Sequence, residues 1–251
     1  MPRNPKWEID ELILALDLYY QLDLNNIDDS NPAIIELSRL LNLLPIHQQS
    51  TENGTFRNPN GVAMKLSNFM RFDPSYQGKG LERGNRLEEV VWDRYNHNRE
   101  ELSIIANRIR ETVLNADLRT QLYQIPEETE DTAVIEAQEG KVLYRLHKYY
   151  ERDASIIRKK KQEVLQRQGK LCCQVCGFDF FQTYGPLGEF YMECHHTKPV
   201  SRMADNEKTK LADLALVCAN CHRMLHRQIE TLSIEQLRRL VQQYQAGESK
   251  R

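Results

Sequence analysis

Apolar residues recur every three or four positions through the first 120 residues, which is the spacing of one face of an α-helix. The pattern predicts helices over residues 8–22, 31–44, 58–69, 85–96 and 99–115. Asparagine-proline pairs open the second and third of these helices, because asparagine caps a helix N-terminus and proline fits the first turn. We therefore expect a helical domain over residues 1–125.

The third predicted helix carries polar and basic side chains opposite its apolar face. Three short helices with a third one of this kind are typical of a helix-turn-helix-like reader, whose last helix enters the major groove of DNA. An ordinary small helical bundle has the same pattern, and the residues leave both interpretations open. In the DNA-reading interpretation, the contacts come from Arg57, Asn60, Lys65 and Asn68.

The composition is that of a soluble globular protein, with 40% hydrophobic and 28% charged residues in a chain of 251. This length allows two modest domains. No apolar stretch is long enough to span a membrane, and the first residues lack the apolar core of a signal peptide. We therefore expect a cytoplasmic protein without a membrane partner, whose cysteines stay reduced.

The net charge of −2 conceals a sharp separation of charge along the chain. Residues 127–139 carry six acids and no base, and we interpret residues 126–140 as an acidic linker. Residues 141–170 carry ten bases against three acids, and they form a basic helical lead-in to a second domain, 141–251. A basic run in this lead-in is a candidate phosphate contact, with a solvated helix face as the alternative. The run consists of Arg158, Lys159, Lys160 and Lys161.

Two cysteine knuckles lie in the second domain. Cys173 and Cys176 form one Cys-x2-Cys motif, and Cys218 and Cys221 form another, 41 residues further on. Each motif can offer two thiolates, so that together they complete a tetrahedral four-cysteine site. In a reducing compartment this arrangement predicts a structural Zn²⁺ ion. For Cys194, the favoured interpretation is a small buried side chain.

Four histidines lie between and just beyond the knuckles. His222 and His226 are four residues apart, so they share one face of a helix and can hold one metal ion together. His195 and His196 are adjacent at the end of a predicted strand, 189–194, so their side chains point to opposite faces. This geometry allows one of the two to bind metal while the other performs a different task.

These residues occur in the order Cys-x2-Cys, Glu-Cys-His-His-Thr-Lys-Pro and Asp-Leu-Ala-Leu-Val-Cys-Ala-Asn-Cys-His-Arg-Met-Leu-His. Over residues 170–227 the chain thereby resembles the HNH nuclease family. The resemblance implies a ββα-metal fold, in which a β-hairpin and a helix hold one divalent ion, and hence an α+β, mainly α, chain. It implies that His195, His222 and His226 bind the ion. It also implies that His196 is the general base that activates water.

The family's middle asparagine corresponds to Asp213 in this chain. Its carboxylate could accept a hydrogen bond from His196, which would orient the ring and raise its basicity. Asn220 is a rival for the asparagine position, although its place inside the second knuckle favours a role in a turn.

The implied ligands of the catalytic ion are three ring nitrogens. Such a set favours Mn²⁺, Ni²⁺ or Zn²⁺ in the protein alone, and phosphate oxygens of the substrate could make Mg²⁺ workable as well. Lys198 and Arg223 are candidate phosphate clamps, with plain surface charges as the alternative.

Two further resemblances concern the rest of the chain. Residues 140–170 resemble the lead-in of McrA-like restriction nucleases, on the strength of Gly140, Arg145, His147, Glu151, Arg152 and the lysine run. The segment Phe-Arg-Asn-Pro-Asn-Gly-Val-Ala-Met-Lys-Leu-Ser-Asn-Phe resembles a domain found ahead of HNH modules in restriction enzymes.

The resemblances together imply a restriction or defence endonuclease that hydrolyses double-stranded DNA, with modified, for example methylated, cytosine as a candidate target. Since one HNH site cuts one strand, double-strand cleavage would require a homodimer. A non-catalytic zinc-binding DNA regulator is one alternative, and a nuclease for RNA or structured DNA is another. The retained histidines argue against the regulator, because a four-cysteine zinc site needs none of them.

Overall fold

The computed structural model describes residues 4–47, 55–78, 86–125, 140–151, 153–198, 209–227 and 232–248. Over these residues the chain is mainly helical with one two-stranded sheet, which confirms the predicted α+β, mainly α, fold class. Its contacts define two units, Met1–Glu128 with Glu139–Leu146, and Thr129–Gln138 with His147–Arg251. Apart from Gly140, the predicted acidic linker lies outside the described residues.

The first unit is built from helices. They are α1 (Ile9–Gln21), α2 (Pro32–Leu43), α3 (Pro59–Phe69), α4 (Arg86–Tyr95), α5 (Arg99–Leu114), α6 (Ala116–Tyr123) and the first half of α7 (Lys141–Glu151). Helix α1 contacts α2, α3, α4 and α5, and its side chains Leu12, Leu14 and Leu16 are fully buried. The five helices predicted from periodicity are confirmed, and α6 is an addition.

The predicted helix caps are present. The side chain of Asn31 accepts a hydrogen bond from the N–H of Ala33 at 2.9 Å, and that of Asn58 accepts one from the N–H of Gly61 at 2.8 Å. Each cap satisfies one of the backbone donors that a helix N-terminus leaves without a partner.

Arg57, which the sequence offered as a DNA contact, belongs to the core of the first unit. Its guanidinium donates to the carboxylate of Glu11 at 2.6 and 2.8 Å and to the backbone carbonyls of Pro5 and Lys6. It also stacks on the ring of Trp7, 4.5 Å from the centroid. A buried carboxylate requires such a partner, and the guanidinium is no longer accessible to a phosphate or a base edge.

Lys65 and Asn68, also predicted as DNA contacts, have partners within the first unit. Both donate to the buried carboxylate of Glu88 on α4, the ammonium in a close ion pair and the amide at 3.0 Å. A buried carboxylate without a partner is strongly destabilising, so these two donors contact Glu88 instead of facing solvent. Asn60 is the predicted contact on α3 that is exposed.

The second unit contains the second half of α7 and a small α+β core. Its elements are α8 (Ala154–Gln168), α9 (Phe180–Tyr184), β1 (Glu193–His196), β2 (Leu214–Val217), α10 (Ala219–Leu225) and α11 (Ile234–Glu248). The strands are antiparallel, with Glu193 opposite Val217 and His196 opposite Leu214. Helix α10 packs against β1 and α11, so that a hairpin and a helix form one ββα unit.

The predicted strand 189–194 is displaced in the structure. Strand β1 begins at Glu193 and includes both histidines, whereas Phe190 has a positive φ of 61°, which a β-strand does not allow. The displacement moves His195 and His196 from the end of a strand into a paired one. Their alternation is therefore fixed by the ladder to β2.

Candidate metal centres and active site

The four knuckle cysteines form one cluster, as predicted. Their sulfur atoms all lie within 4.8 Å of one another, and the sulfurs of Cys176 and Cys218 are 3.7 Å apart. Zn–S bonds of about 2.3 Å in a tetrahedron place sulfurs roughly 3.8 Å apart, so the cluster fits a zinc ion. Gly177, with a φ of 76°, makes the turn that returns the first knuckle to the core.

The other two cysteines lie outside the cluster. Cys194 is buried in the core of the second unit, as predicted, and the sulfur of Cys172 contacts a carboxylate oxygen of Asp179 at 3.7 Å.

Three of the predicted metal ligands converge in the second unit. His195 lies on β1, His222 lies on α10, and His226 is the C-cap residue that follows α10. Nδ1 of His195 and Nε2 of His226 are 3.2 Å apart, and the three ring centroids are separated by 4.9 to 5.3 Å. All three side chains are buried. The ββα unit thus brings together residues that are up to 31 positions apart in the chain.

Glu151, at the end of α7, lies in the middle of this cluster. Its Oε1 is 2.7 Å from Nε2 of both His147 and His222, 3.4 Å from Nε2 of His226 and 3.6 Å from Nδ1 of His195. His147 and Glu151 were not predicted as site residues. The available signal was their spacing of four, which places both on one face of a helix in the segment that resembles a restriction-nuclease lead-in.

The side chains of this cluster differ in charge at neutral pH. Burial by itself would raise the pKa of Glu151, but contacts with His147, His195 and His222 hold it well below its usual range. Burial opposes the charged form of His222, but the carboxylates of Glu151 and Glu193 raise its pKa to about 9. Burial lowers the pKa of His195, and it lowers that of His226 to about 3. At neutral pH the rings of His195 and His226 are therefore uncharged and have lone pairs available for a cation.

His196 faces a different environment from its neighbour. Its Nε2 lies 3.4 Å from the hydroxyl of Thr209, and its Nδ1 is buried without a hydrogen-bond partner among the described residues. Burial and the nearby His147 lower the pKa of His196 to about 4, so the ring is uncharged at neutral pH. An uncharged ring with one uncommitted nitrogen is able to accept a proton.

Asp213 does not make the predicted hydrogen bond to His196, although the structure describes both residues. Its carboxylate lies 3.3 Å from Nζ of Lys198, and its backbone carbonyl accepts from the N–H of Thr197 at 2.8 Å. Its position at the start of β2 directs the backbone, rather than the side chain, toward β1. Asn220 is exposed on the first turn of α10.

The predicted phosphate contacts separate into two groups. Arg158, Lys159, Lys198 and Arg223 are exposed. Lys160 is buried and pairs with Glu163 at 3.2 Å, and Lys161 donates to the backbone carbonyl of Phe190 at 2.9 Å. Burial lowers the pKa of Lys161. Helix α8 thus directs the ammonium groups of Lys160 and Lys161 to partners within its own unit.

Within the described residues, no helix is long and apolar enough to cross a membrane.

Comparison with protein families gave a match within the second unit. Residues 173–228 match the model of the HNH endonuclease family. Neither the curated proteins nor the solved structures gave a significant match to the chain. The match begins at the first knuckle cysteine and ends two residues after His226, so it includes the cysteine cluster, both strands and α10. Residues 173–228 thus match the HNH endonuclease family, and they contain a four-cysteine cluster that fits a zinc knuckle.

Proposed function

We propose that this protein is a metal-dependent endonuclease that hydrolyses phosphodiester bonds of double-stranded DNA. The observation that carries the proposal is the convergence of His195, His222 and His226 beside an uncharged His196 inside an HNH domain. The four-cysteine cluster needs none of these histidines. A protein with only a structural zinc ion would therefore have no use for their convergence.

In this proposal, His195, His222 and His226 hold one divalent ion. When bound, the ion supplies positive charge that stabilises the attacked phosphate and the leaving oxygen. The donor set fits at His195 and His226, whose rings are uncharged at neutral pH. His222 keeps Nδ1 against Glu193 and would join the set through Nε2, which in this structure lies 2.7 Å from Oε1 of Glu151. Mn²⁺ or Mg²⁺ is the working ion we propose, with Ni²⁺ or Zn²⁺ as nitrogen-preferring substitutes.

His196 is the general base of the proposed reaction. The hydroxyl of Thr209, 3.4 Å from Nε2, can accept a hydrogen bond from the tautomer in which the Nδ1 lone pair is free. His196 acts on a water molecule whose oxygen attacks the phosphorus in line. The proton passes to His196, and the leaving 3′ or 5′ oxygen departs with the bonding electrons. Arg223 and Lys198 are the exposed cations that we assign to the flanking phosphates. Asp213 acts on this site through the backbone of β1 and through Lys198.

The finer role that we propose is restriction or defence, with modified cytosine as the target. It is supported by the resemblance of residues 140–170 to restriction-nuclease lead-ins and by a separate helical unit that could select DNA. Asn60, Arg158 and Lys159 are the exposed residues that we assign to DNA contact outside the active site. Cleavage of both strands would use a homodimer, since the described part of each chain holds one such site.

The test is cleavage of supercoiled plasmid, unmodified and cytosine-methylated in parallel, with Mg²⁺ or Mn²⁺ and with His196→Ala as the control. Nicking or linearisation that His196→Ala abolishes supports the nuclease. Preference for methylated plasmid supports the restriction role, and equal cutting of both plasmids refutes the modified-cytosine target. DNA binding without cutting of either plasmid would favour a regulator, and cutting of RNA alone would reassign the substrate.

A further inference from the structure

Three donor atoms of the second unit form a triangle of the size that one metal ion requires. They are Nδ1 of His195, Nε2 of His226 and Oε1 of Glu151, and the edges measure 3.2, 3.4 and 3.6 Å. Bonds of about 2.0–2.2 Å from a metal to nitrogen and oxygen place neighbouring ligands roughly 2.8–3.6 Å apart, depending on the coordination geometry. The triangle therefore fits one face of a coordination sphere.

We infer that Glu151 is an anionic oxygen ligand of the nuclease's metal ion and shares that ion with His195 and His226. The inference rests on the proposed function, and it adds to the histidine ligands a residue from α7, which lies outside the matched HNH segment. His147, four residues earlier on the same helix, has its Nε2 2.7 Å from the same oxygen and belongs to the same group of potential ligands.

A purely hydrogen-bonding role for Glu151 does not account for the whole arrangement. One carboxylate oxygen has room for about two short hydrogen bonds, and the nitrogens of His147 and His222 at 2.7 Å occupy both. Nδ1 of His195 and Nε2 of His226 remain, aimed at each other and at Oε1 from longer distances. These two buried nitrogens lie 3.2 Å apart, where one ring can donate to the other, and both lie within 3.6 Å of Oε1, so that one cation could accept a lone pair from each of the three atoms.

The carboxylate changes which ion the site prefers. A set of imidazoles alone is neutral and favours Zn²⁺ or Ni²⁺, whereas an added carboxylate brings one negative charge and a hard oxygen donor. Both properties favour Mn²⁺ and Mg²⁺, which prefer oxygen ligands. Glu151 thus gives an HNH domain built from histidines a means to hold the ions that phosphoryl chemistry commonly uses.

The inference is tested by titrating the full-length protein, with its cysteine zinc in place, with Mn²⁺ and following the electron paramagnetic resonance signal of the free ion. Glu151→Gln keeps the shape of the side chain and removes its charge. We expect it to weaken Mn²⁺ binding by about tenfold or more and to weaken Zn²⁺ or Ni²⁺ binding less. The matched control is Glu189→Gln, which removes a charge from an exposed residue of the same unit and should bind Mn²⁺ like the wild type.

Equal Mn²⁺ affinity of the wild type and Glu151→Gln would overturn the inference. In that case, loss of Mn²⁺ binding in His195→Ala would show that the proposed nuclease site stands without Glu151. If Glu151→Gln also loses the cysteine zinc and unfolds, Glu151→Asp carries the test. It keeps the charge and withdraws the oxygen, so weaker Mn²⁺ binding supports the ligand role and unchanged binding overturns it. Glu151-dependent Mn²⁺ binding without any cleavage of DNA or RNA would keep the ligand and refute the proposed function.

Discussion

Oε2 of Glu193 lies 2.6 Å from Nδ1 of His222, so a charge-assisted hydrogen bond joins β1 to α10 directly beside the histidine cluster. A metal-binding histidine commonly gives its second ring nitrogen to a carboxylate, which fixes the tautomer and the orientation of the ring. Glu193 would occupy this position for His222 in the proposed metal site. Nε2 of His222 lies toward Glu151 inside the cluster, so we propose a positioning role for Glu193.

Glu193→Gln should therefore weaken the metal site without removing a ligand. The amide can accept the same hydrogen bond, but it no longer carries the charge that stabilises the ring. We expect Mn²⁺ affinity, measured by calorimetric titration, to fall by about 10- to 100-fold, with the cysteine zinc retained. Glu189→Gln serves again as the exposed control. An affinity equal to that of the control would contradict the positioning role.

The two types of metal site should respond differently to cysteine substitutions. Cys221→Ser removes a ligand from the four-cysteine cluster, and structural zinc supplies folding free energy, so we expect the second unit to lose its zinc and its tertiary structure. Zinc analysis and near-ultraviolet circular dichroism measure both effects. Cys172→Ser is the matched control, because its sulfur lies outside the cluster. A folded, zinc-free Cys221→Ser protein would mean that the zinc does not support this fold.

Substitution of Arg57 tests how much its buried ion pair stabilises the first unit. Arg57→Ala leaves the carboxylate of Glu11 buried without its guanidinium partner, and such a loss typically costs about 3–5 kcal/mol of the free energy of unfolding. Urea unfolding followed by circular dichroism measures the change. Arg39→Ala provides the comparison, since the Arg39–Glu36 pair is exposed and should contribute less than about 1 kcal/mol. If Arg57→Ala kept its stability and lost DNA binding, the helix-turn-helix interpretation of Arg57 would be correct after all.

The sequence predicted those features that depend on near neighbours. The caps at Asn31 and Asn58 act within three residues, and each cysteine knuckle is a four-residue motif, so both could be recognised without a fold. The family resemblance placed the knuckles and histidines in one domain. The roles of Arg57 and Glu151 were not predictable in this way, because their partners Glu11 and His222 are 46 and 71 residues away. From sequence alone a charged side chain is predicted to be exposed, because its buried partner becomes apparent only when the fold is known.

The buried carboxylate of Asp10 should make the stability of the first unit depend on pH. Its carboxylate is buried on α1 and accepts hydrogen bonds from the backbone N–H of Val142 at 3.2 and 3.3 Å, so it caps the N-terminus of α7. Burial raises its pKa from 3.8 to about 7, against the lowering effect of those hydrogen bonds. Between these two values the folded chain holds a proton that the unfolded chain has released. The contribution of Asp10 to the free energy of unfolding is therefore complete below about pH 4 and is lost as the pH rises toward 7.

The change expected from this group is at most about 4 kcal/mol, because each unit of pKa difference corresponds to about 1.4 kcal/mol. Asp10→Asn keeps an oxygen acceptor for Val142 and has no charge to bury. Its free energy of unfolding should therefore fall less between pH 5 and pH 8 than that of the wild type, and at pH 8 the variant should be the more stable of the two. Urea unfolding at both pH values measures the difference, and Asp28→Asn, at an exposed acid of the same unit, controls for the loss of a surface carboxylate. Parallel pH profiles for the wild type and Asp10→Asn would show that Asp10 is ionised in the folded chain. The N-terminus of α7, to which its hydrogen bonds run, would then be stabilising the charged form.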